Sequence, residues 1–195
     1  MKTKAMRVLM ASAMLMLVLG LLSCSGAPPS KTQIDEQRTS IREMASQTLA
    51  QLYKQYPNSA FNVETAAGYA VFSDFGMKFL FLGGAGGQGV AVNNVNKQQT
   101  FMKMVELQPG FGFGAQNFRI VFIFGTPQAY NQFVTSGWEF GADAMAAAKT
   151  STQGAGAQMG ATVAPGVTMY QLSEQGAIVG VSITGAKYYK DDQLN

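Results

Sequence analysis

Histidine is absent from the 195-residue chain, and cysteine occurs once, at Cys24. Without histidine there can be no Ser-His or Cys-His catalytic pair and no histidine ligand for a metal ion. In the second half of the chain, acidic residues stand singly except for Asp191-Asp192, which we interpret as a solvated surface pair. We therefore expect a protein that is not an enzyme and that uses neither a metal nor a cofactor.

Excess charge is also missing from most of the chain. Lysine and arginine total 14 and aspartate and glutamate total 11, but Lys2, Lys4 and Arg7 lie at the extreme N-terminus. Setting those three aside leaves equal numbers of acidic and basic residues. A nucleic-acid partner is not expected, because its binding requires a basic surface.

A long apolar segment is lacking too. The uncharged run Val8 to Leu22 would span only ~22 Å as a helix, which is short of the ~30 Å hydrocarbon core of a bilayer. A basic start followed by a short apolar run is typical of a cleaved signal peptide. We assign residues 1–23 to this signal peptide.

The end of this run, Leu21-Leu22-Ser23-Cys24, resembles the bacterial lipobox. The resemblance implies a lipoprotein in which Cys24 becomes the first residue and carries acyl chains such as palmitate. Two or more chains anchor a protein stably to a membrane. Ser25, rather than Asp, follows the cysteine, and by resemblance to enterobacterial sorting this favours the outer membrane, facing the periplasm.

The remaining chain divides into a short tether, residues 24–31, and a domain, residues 32–195. Apolar residues at helical spacing, from Ile34 to Tyr56, predict an amphipathic helix over Thr32 to Tyr56, capped by Thr32 and ended by Pro57-Asn58-Ser59. We expect its apolar stripe to pack on the domain; the alternative is a helix lying on a membrane.

Beyond Gly68 the sequence has the character of antiparallel β-structure, with short β-branched and aromatic runs separated by turn residues. A second helix is predicted after Thr126-Pro127, with Ala129, Tyr130, Phe133 and Val134 inward and Gly137 at its end. We interpret Thr150 to Pro165 as a loop. The predicted strands are Gly68 to Phe72, Lys78 to Leu82, Gly89 to Asn93, Thr100 to Leu107, Phe111 to Ala115, Asn117 to Phe124, Trp138 to Ala148, Val167 to Leu172 and Ala177 to Thr184.

Glycines in residues 83–90, GGAGGQGV, match the G-x-G-x-x-G pattern of dinucleotide-binding turns. That turn must open a helix, whose N-terminus holds the phosphates, but here Val90-Ala91-Val92 predicts a strand. Glycine inside a strand indicates a bend or a close approach of another group. The fold class that we predict is α+β, mainly antiparallel β: a strongly coiled or barrel-like sheet with an N-terminal helix and one or two further helices.

Three ordered motifs resemble those of the SYLF domain family. They are Ala66-Ala67-Gly68-Tyr69-Ala70-Val71-Phe72 with the glycines that follow, Phe111-Gly112-Phe113-Gly114-Ala115-Gln116, and Tyr170 to Gly185. The resemblance implies a compact barrel-like lipid-binding module. We do not extend it to the phosphoinositide binding of eukaryotic members, because Arg38 and Arg42 share their helix with Glu36 and Glu43. The actin binding of yeast members is likewise not transferred to a protein expected in a bacterial envelope.

Candidate lipid contacts are aromatic or apolar residues at turns, where complete burial is not expected. They are Phe75, Met77 and Trp138, with Lys78 positioned to meet a headgroup. The function predicted is that of a membrane-anchored lipoprotein whose domain binds lipids or amphiphiles at the envelope. The alternative is a structural protein that binds another envelope protein.

Overall fold

The computed structural model describes residues 29–75, 86–106, 118–140, 160–173, 176–177 and 186–195. The chain divides into two units, Met1–Gln33 and Ile34–Asn195. Helices in the described residues are α1 (Lys31–Gln55), α2 (Asn58–Thr65) and α3 (Pro127–Ser136). The strands are β1 (Gly68–Phe75), β2 (Gly86–Asn93), β3 (Gln99–Glu106), β4 (Phe118–Phe124), β5 (Trp138–Phe140), β6 (Ala161–Ala164), β7 (Val167–Ser173), β8 (Gly176–Ala177) and β9 (Ala186–Lys190).

Helix α1 was predicted correctly apart from its cap. Ser30, not Thr32, caps it: the Gln33 backbone N–H donates to Ser30 Oγ at 3.3 Å, and the Ser30 N–H donates to Gln33 Oε1 at 2.8 Å. This reciprocal pair is a capping box, which requires glutamine or glutamate three residues after the cap. The apolar stripe is buried as expected, through Ile41, Ala45, Thr48 and Leu52.

The predicted fold class allows a second further helix, but the position of α2 is not predicted, because Pro57-Asn58-Ser59 is interpreted only as the end of α1. The chain instead resumes a helix one residue later, with Pro57 at the N-cap (φ −54°). Proline is tolerated at a helix start, where its missing N–H would have no partner within the helix. Ser59 and Val63 bury one side of this short helix.

The sheet has the order β5-β9-β3-β2-β1-β4-β7-β6, with β8 also paired to β7. All pairings among the described strands are antiparallel, as predicted. The predicted strands Lys78 to Leu82 and Phe111 to Ala115 lie outside the described residues. Strand β9 had not been predicted; it pairs with both β3 and β5.

The prediction of a loop over Thr150 to Pro165 is wrong at its C-terminal end, where β6 pairs with β7. Ala161 and Val163 are buried, whereas Thr162 between them is exposed, so the strand alternates like any half-buried strand. Its small side chains concealed that pattern. A register shift between Thr162 and Ala164 interrupts the ladder.

The sheet is strongly curled. Strands β4 and β9 are separated by β3, β2 and β1, which would place them ~19 Å apart in a flat sheet. Nevertheless, the ring centroids of Phe122 in β4 and Tyr188 in β9 are 5.2 Å apart, and those of Phe72 in β1 and Tyr188 are 4.8 Å apart. The predicted fold class is therefore confirmed.

Both faces of the curled sheet are covered by apolar contacts. The inner face, with Phe72, Met102 and Phe122, packs against Tyr130 and Phe133 of α3. The outer face, with Val71 and Val121, packs against α1 and α2. Burial on both faces explains why β4 reads as the nearly continuous apolar run FRIVFIF instead of alternating.

The glycines around residue 89 allow the strands of the curled sheet to pack closely. Residues 86–93 form strand β2, not the start of a helix, so the part of the G-x-G-x-x-G pattern that is described contradicts a dinucleotide-binding turn. A Cβ added to Gly89 would overlap both the Phe72 ring and the Val71 carbonyl oxygen. Glycine is needed there because Phe72 packs directly on the β2 backbone.

Asp191 corrects the expectation of a solvated acidic pair. It is only 2% exposed, and its Oδ1 lies 3.0 Å from Lys103 Nζ and accepts the Gln193 backbone N–H. Residues 191–195 fold back as a turn against β3, where the Asn195 side chain bonds both the N–H and the carbonyl of Phe101. Asp192 is exposed, as predicted.

Replacing Gly89 by Ala should destabilise the fold by about 2 kcal/mol, because the new methyl group overpacks the Phe72 ring and a backbone carbonyl. The matched control is Gly86→Ala on the same strand, whose Cβ would meet only Met104 O at 3.7 Å. Urea unfolding followed by Trp138 emission measures both. Equal midpoints for the two variants would contradict this account of the glycines.

Replacing Asp191 by Ala should cost about 2 kcal/mol of stability, because Lys103 loses its buried partner and the Gln193 N–H loses its acceptor. Asp192→Ala removes the same charge from an exposed neighbour and should change stability by less than about 0.5 kcal/mol. Thermal unfolding of both variants is the measurement. A shift of similar size in each would show that the buried ion pair contributes nothing specific.

Candidate functional site

Of the residues predicted to contact lipid, only Trp138 lies fully within the described part of the chain. Cys24, Met77 and Lys78 lie outside the described residues. Phe75 is the last residue of β1, where its backbone pairs with Gly86, and its side chain is not described. The grouping of Phe75, Met77 and Lys78 therefore remains a prediction.

Trp138 is positioned by the end of α3. Thr126 caps that helix, accepting the Ala129 N–H at 3.3 Å, and Gly137 ends it in a left-handed conformation (φ 71°), both as predicted. A side chain at position 137 would collide with the Tyr188 carbonyl. The chain then enters β5, and Trp138 pairs with Tyr188 of β9.

The Trp138 ring is half-buried beside the inner core. Its centroid lies 6.0 Å from that of Phe122 and 6.0 Å from that of Phe133, the latter edge to face at 86°. Such geometry between aromatic rings is favourable beyond the area buried. One side of the indole is therefore fixed by the core, and the other side borders a cavity.

This cavity, here called the α3 groove, has a volume of about 370 Å³. One wall is α3, and the other is the β6–β7 hairpin. The lining residues are Thr126, Gln128, Ala129, Gln132, Phe133, Trp138, Ala164, Pro165 and Val167. Small-molecule sites in proteins typically measure ~300–1,000 Å³ and combine an apolar lining with a few polar groups.

The chemistry of the α3 groove is neutral. Phe133, Trp138 and Val167 supply apolar surface, and the amides of Gln128 and Gln132 stand one helical turn apart. None of the described residues that line the groove is ionisable, so these residues offer no general acid, base or charged ligand for a metal. It can take an apolar chain and hydrogen-bond a neutral polar group.

Sequence reasoning identified Trp138 but missed the second wall of the groove. Ala164, Pro165 and Val167 reach the groove because β6 pairs with β7, and the loop interpretation hid that pairing. The turn residues Pro165-Gly166 followed by β-branched Val167 are the hairpin signal that could have revealed it.

A second cavity, the α2 groove, lies on the other side of the same hairpin. It measures about 450 Å³ and is lined by Asn62, Thr65, Ala66, Ile123, Gly125, Thr162, Gly166, Val167 and Thr168. Among the described residues, its lining contains threonines and an asparagine but no aromatic ring. An apolar ligand therefore fits the α3 groove better.

The arginines of α1 stabilise the helix against β3. Arg38 Nε donates to the Leu194 carbonyl at 2.9 Å, and Arg42 Nε donates to Gln99 Oε1 at 2.8 Å. Both guanidinium groups also lie over the Phe101 ring, at 5.9 and 5.2 Å from its centroid. These cations therefore take part in the packing of α1 on β3 and on the C-terminal turn.

Burial raises the pKa of several tyrosine hydroxyls. Burial raises the pKa of Tyr130 to about 12, against a smaller lowering by its hydrogen bond to Thr100, so its hydroxyl stays neutral at physiological pH. Burial also raises the pKa of Tyr69. No group of three or more potential metal ligands occurs within the described ranges. None of the helices in the described part of the chain is long and apolar enough to cross a membrane.

Comparison with known proteins agrees with the motifs. Residues 105–195 match the Ysc84 family, described as a Las17-binding protein actin regulator. A protein of Aeromonas veronii, beta cell expansion factor A, is 34% identical over 161 residues, which cover 82% of this chain. The chain spans 59% of that relative's length. The three motifs, the family match and this bacterial relative together show that the chain belongs to the SYLF (Ysc84) family.

Proposed function

We propose that this protein is a bacterial lipoprotein, anchored through acylated Cys24 in the outer membrane and facing the periplasm, whose SYLF domain binds the apolar chain of a lipid or other amphiphile. The observation that carries the proposal is the α3 groove beside Trp138. Its neutral lining favours binding of an apolar group over catalysis.

The dimensions of the groove suit an acyl chain. A cavity of about 370 Å³ accommodates a flexible chain rather than a folded polypeptide segment. Each methylene buried there contributes about 0.8 kcal/mol, and the indole of Trp138 offers a flat apolar surface with an N–H donor at one edge. The exposed amides of Gln128 and Gln132 would meet the polar end of the ligand.

The anchor is supported by the sequence around Cys24. The short apolar run before it and the Leu21-Leu22-Ser23 tripeptide fit a lipoprotein signal, and no other cysteine competes for modification. An amphiphile-binding domain tethered at the membrane surface would encounter its ligand at high local concentration.

The alternative function, binding of another envelope protein, is favoured by one observation. Phe61 on α2 is 69% exposed, and Val95 in the turn between β2 and β3 is 86% exposed. The two residues lie on neighbouring elements, because Asn94 Nδ2 in that turn donates to the Val63 carbonyl of α2 at 2.6 Å. A contiguous exposed apolar patch is typical of a surface that meets a partner. Binding experiments on the domain without its lipid anchor distinguish the two functions.

Residues 24–195 carrying Cys24→Ala should bind amphiphiles, because the groove does not depend on the anchor. Trp138 is the chain's single tryptophan, so its emission reports on the groove directly. We expect saturable quenching by a brominated fatty acid. Ala164→Leu, which fills the α3 groove, should weaken binding at least tenfold, because the leucine occupies volume that the acyl chain needs.

The matched control is Thr162→Leu, on the same strand but lining the α2 groove, which should leave the affinity unchanged. Equal loss in both variants would exclude the α3 groove as the site. Flotation of the same protein with liposomes is the broader test: no association with any lipid would favour the protein-binding alternative.

The full-length chain should incorporate labelled palmitate in a bacterial host and fractionate with the outer membrane. Cys24→Ala should abolish labelling completely and release the protein from the membrane, because the acylated sulfur is the anchor. Ser23→Ala, which keeps a small residue before the cysteine, is the control and should still be labelled. Unlabelled wild-type protein would contradict the anchor.

A further inference from the structure

Arg119 is a cation inside a strand that is otherwise apolar. It is the second residue of β4, FRIVFIF, and lies on the outer, α1-facing side of the sheet together with Val121 and Ile123. It is half-buried. A charged group in such a place is expected to have a partner that offsets the loss of hydration.

The partner available within the described residues is neutral. Arg119 Nη1 donates to Thr48 Oγ1 of α1 at 3.2 Å, and the Thr48 hydroxyl donates in turn to the Met44 carbonyl at 2.7 Å. No carboxylate of the described residues forms an ion pair with Arg119. By contrast, Lys103 of β3 forms an ion pair with Asp191. Lys103 lies on the same face of the sheet as Arg119. A guanidinium with five donors therefore retains capacity for an anion.

Polar side chains continue from Arg119 across the neighbouring strands. Ser73 in β1 is directly opposite Arg119, and Gln88 in β2 is directly opposite Ser73. In an antiparallel sheet, directly opposed residues share a face, with Cβ atoms ~4.5–5.5 Å apart. The guanidinium, the hydroxyl and the amide thus form one row beside α1.

Ser73 is the second sign of a binding site. It is only 9% exposed, and it lies directly opposite Arg119 in the sheet. The polar atoms of a nine-tenths buried serine normally have a partner. An anion bound by Arg119 would supply an acceptor for this hydroxyl.

We propose that Arg119, Ser73 and Gln88 form an oxyanion-binding site for a carboxylate or phosphate group. The planar fork of Arg119 donates to two oxygens of the ligand, a geometry that lysine cannot supply. The Ser73 hydroxyl and the Gln88 amide donate to the same oxyanion from the adjoining strands. This site lies on the face of the sheet opposite the α3 core, so it does not rest on the function proposed for the α3 groove.

The experiment is an NMR titration of the arginine Nε–H resonances in the purified full chain, held in a neutral detergent. The probes are sodium phosphate and sodium acetate, each replacing sodium chloride at constant ionic strength. The arginines are Arg7, Arg38, Arg42 and Arg119, and the Arg119 resonance is assigned by its loss in Arg119→Lys. Arg38 and Arg42 serve as internal controls, because their Nε–H groups already donate to Leu194 O and Gln99 Oε1.

We expect the Arg119 resonance to shift saturably while the resonances of Arg38 and Arg42 stay in place. Whichever probe saturates at the lower concentration identifies the class of ligand. Ser73→Ala, a small change that the strand tolerates, should weaken that affinity about fivefold through loss of one hydrogen bond. Unchanged Trp138 emission confirms that the variant is folded.

Three results would each overturn the proposal. The first is the absence of saturation with both probes. The second is an equal response of Arg38, Arg42 and Arg119, which would show general ionic effects. The third is an affinity that Ser73→Ala leaves unchanged, because Arg119 would then bind anions without the row of donors that defines the site.

Discussion

The contact of Phe72 and Phe122 with Tyr188 inside the curled sheet is the constraint on which the rest of the structure depends. In a flat sheet β9, which carries Tyr188, would lie three strands from β1 and four from β4, yet the centroids of the three rings lie within 6.2 Å of one another. The curl that joins them requires a backbone without Cβ where Phe72 crosses β2, which Gly89 provides. The same curl brings β5 around to face β4, so Trp138 meets Phe122 and the end of α3 is fixed beside them. The groove next to Trp138 is thus a consequence of how the sheet bends.

Burial on both faces distinguishes this sheet from one that exposes a polar side. Where α1 and α2 cover the outer face, the strands read as continuous apolar runs, as in β4. Two residues further along the same strands, the residues on this outer face are polar: Ser73 in β1, Gln88 in β2 and Arg119 in β4. Ser73 is 9% exposed there, whereas Gln88 and Arg119 are half-buried. Polar groups that are partly buried lose hydration, and a ligand that hydrogen-bonds them would restore what is lost.

How much of this could be predicted depends on the range of the interactions involved. The helix over residues 31–55, the Thr126-Pro127 start of α3 and most strands follow from local periodicity and capping, and the sequence reading of these elements is confirmed. The interpretation of the glycines as structural is likewise confirmed for Gly86 to Gly89. Errors arose where a tertiary partner decides the outcome: β6 is a strand because β7 pairs with it, and Asp191 is buried because Lys103 lies beneath the returning chain. Trp138 was predicted as a candidate contact from its position directly after a helix. The α3 groove could not be predicted, because its two walls, α3 and the β6–β7 hairpin, are distant in sequence.

The size of the α3 groove follows from the way α3 packs against the curled sheet. Tyr130 and Phe133 fill the interior of the curl, and that fixes the rotation of the helix about its axis. The flank that then approaches the β6–β7 hairpin carries Ala129, and the hairpin presents Ala164. Two methyl groups cannot fill the space that the larger core residues have set between these elements. Larger residues at either position would close the cavity and add buried apolar area. With Ala129 and Ala164 the fold is therefore less stable than it would be with a filled cavity. This space beside the single tryptophan is the feature on which the proposed binding of an apolar ligand rests.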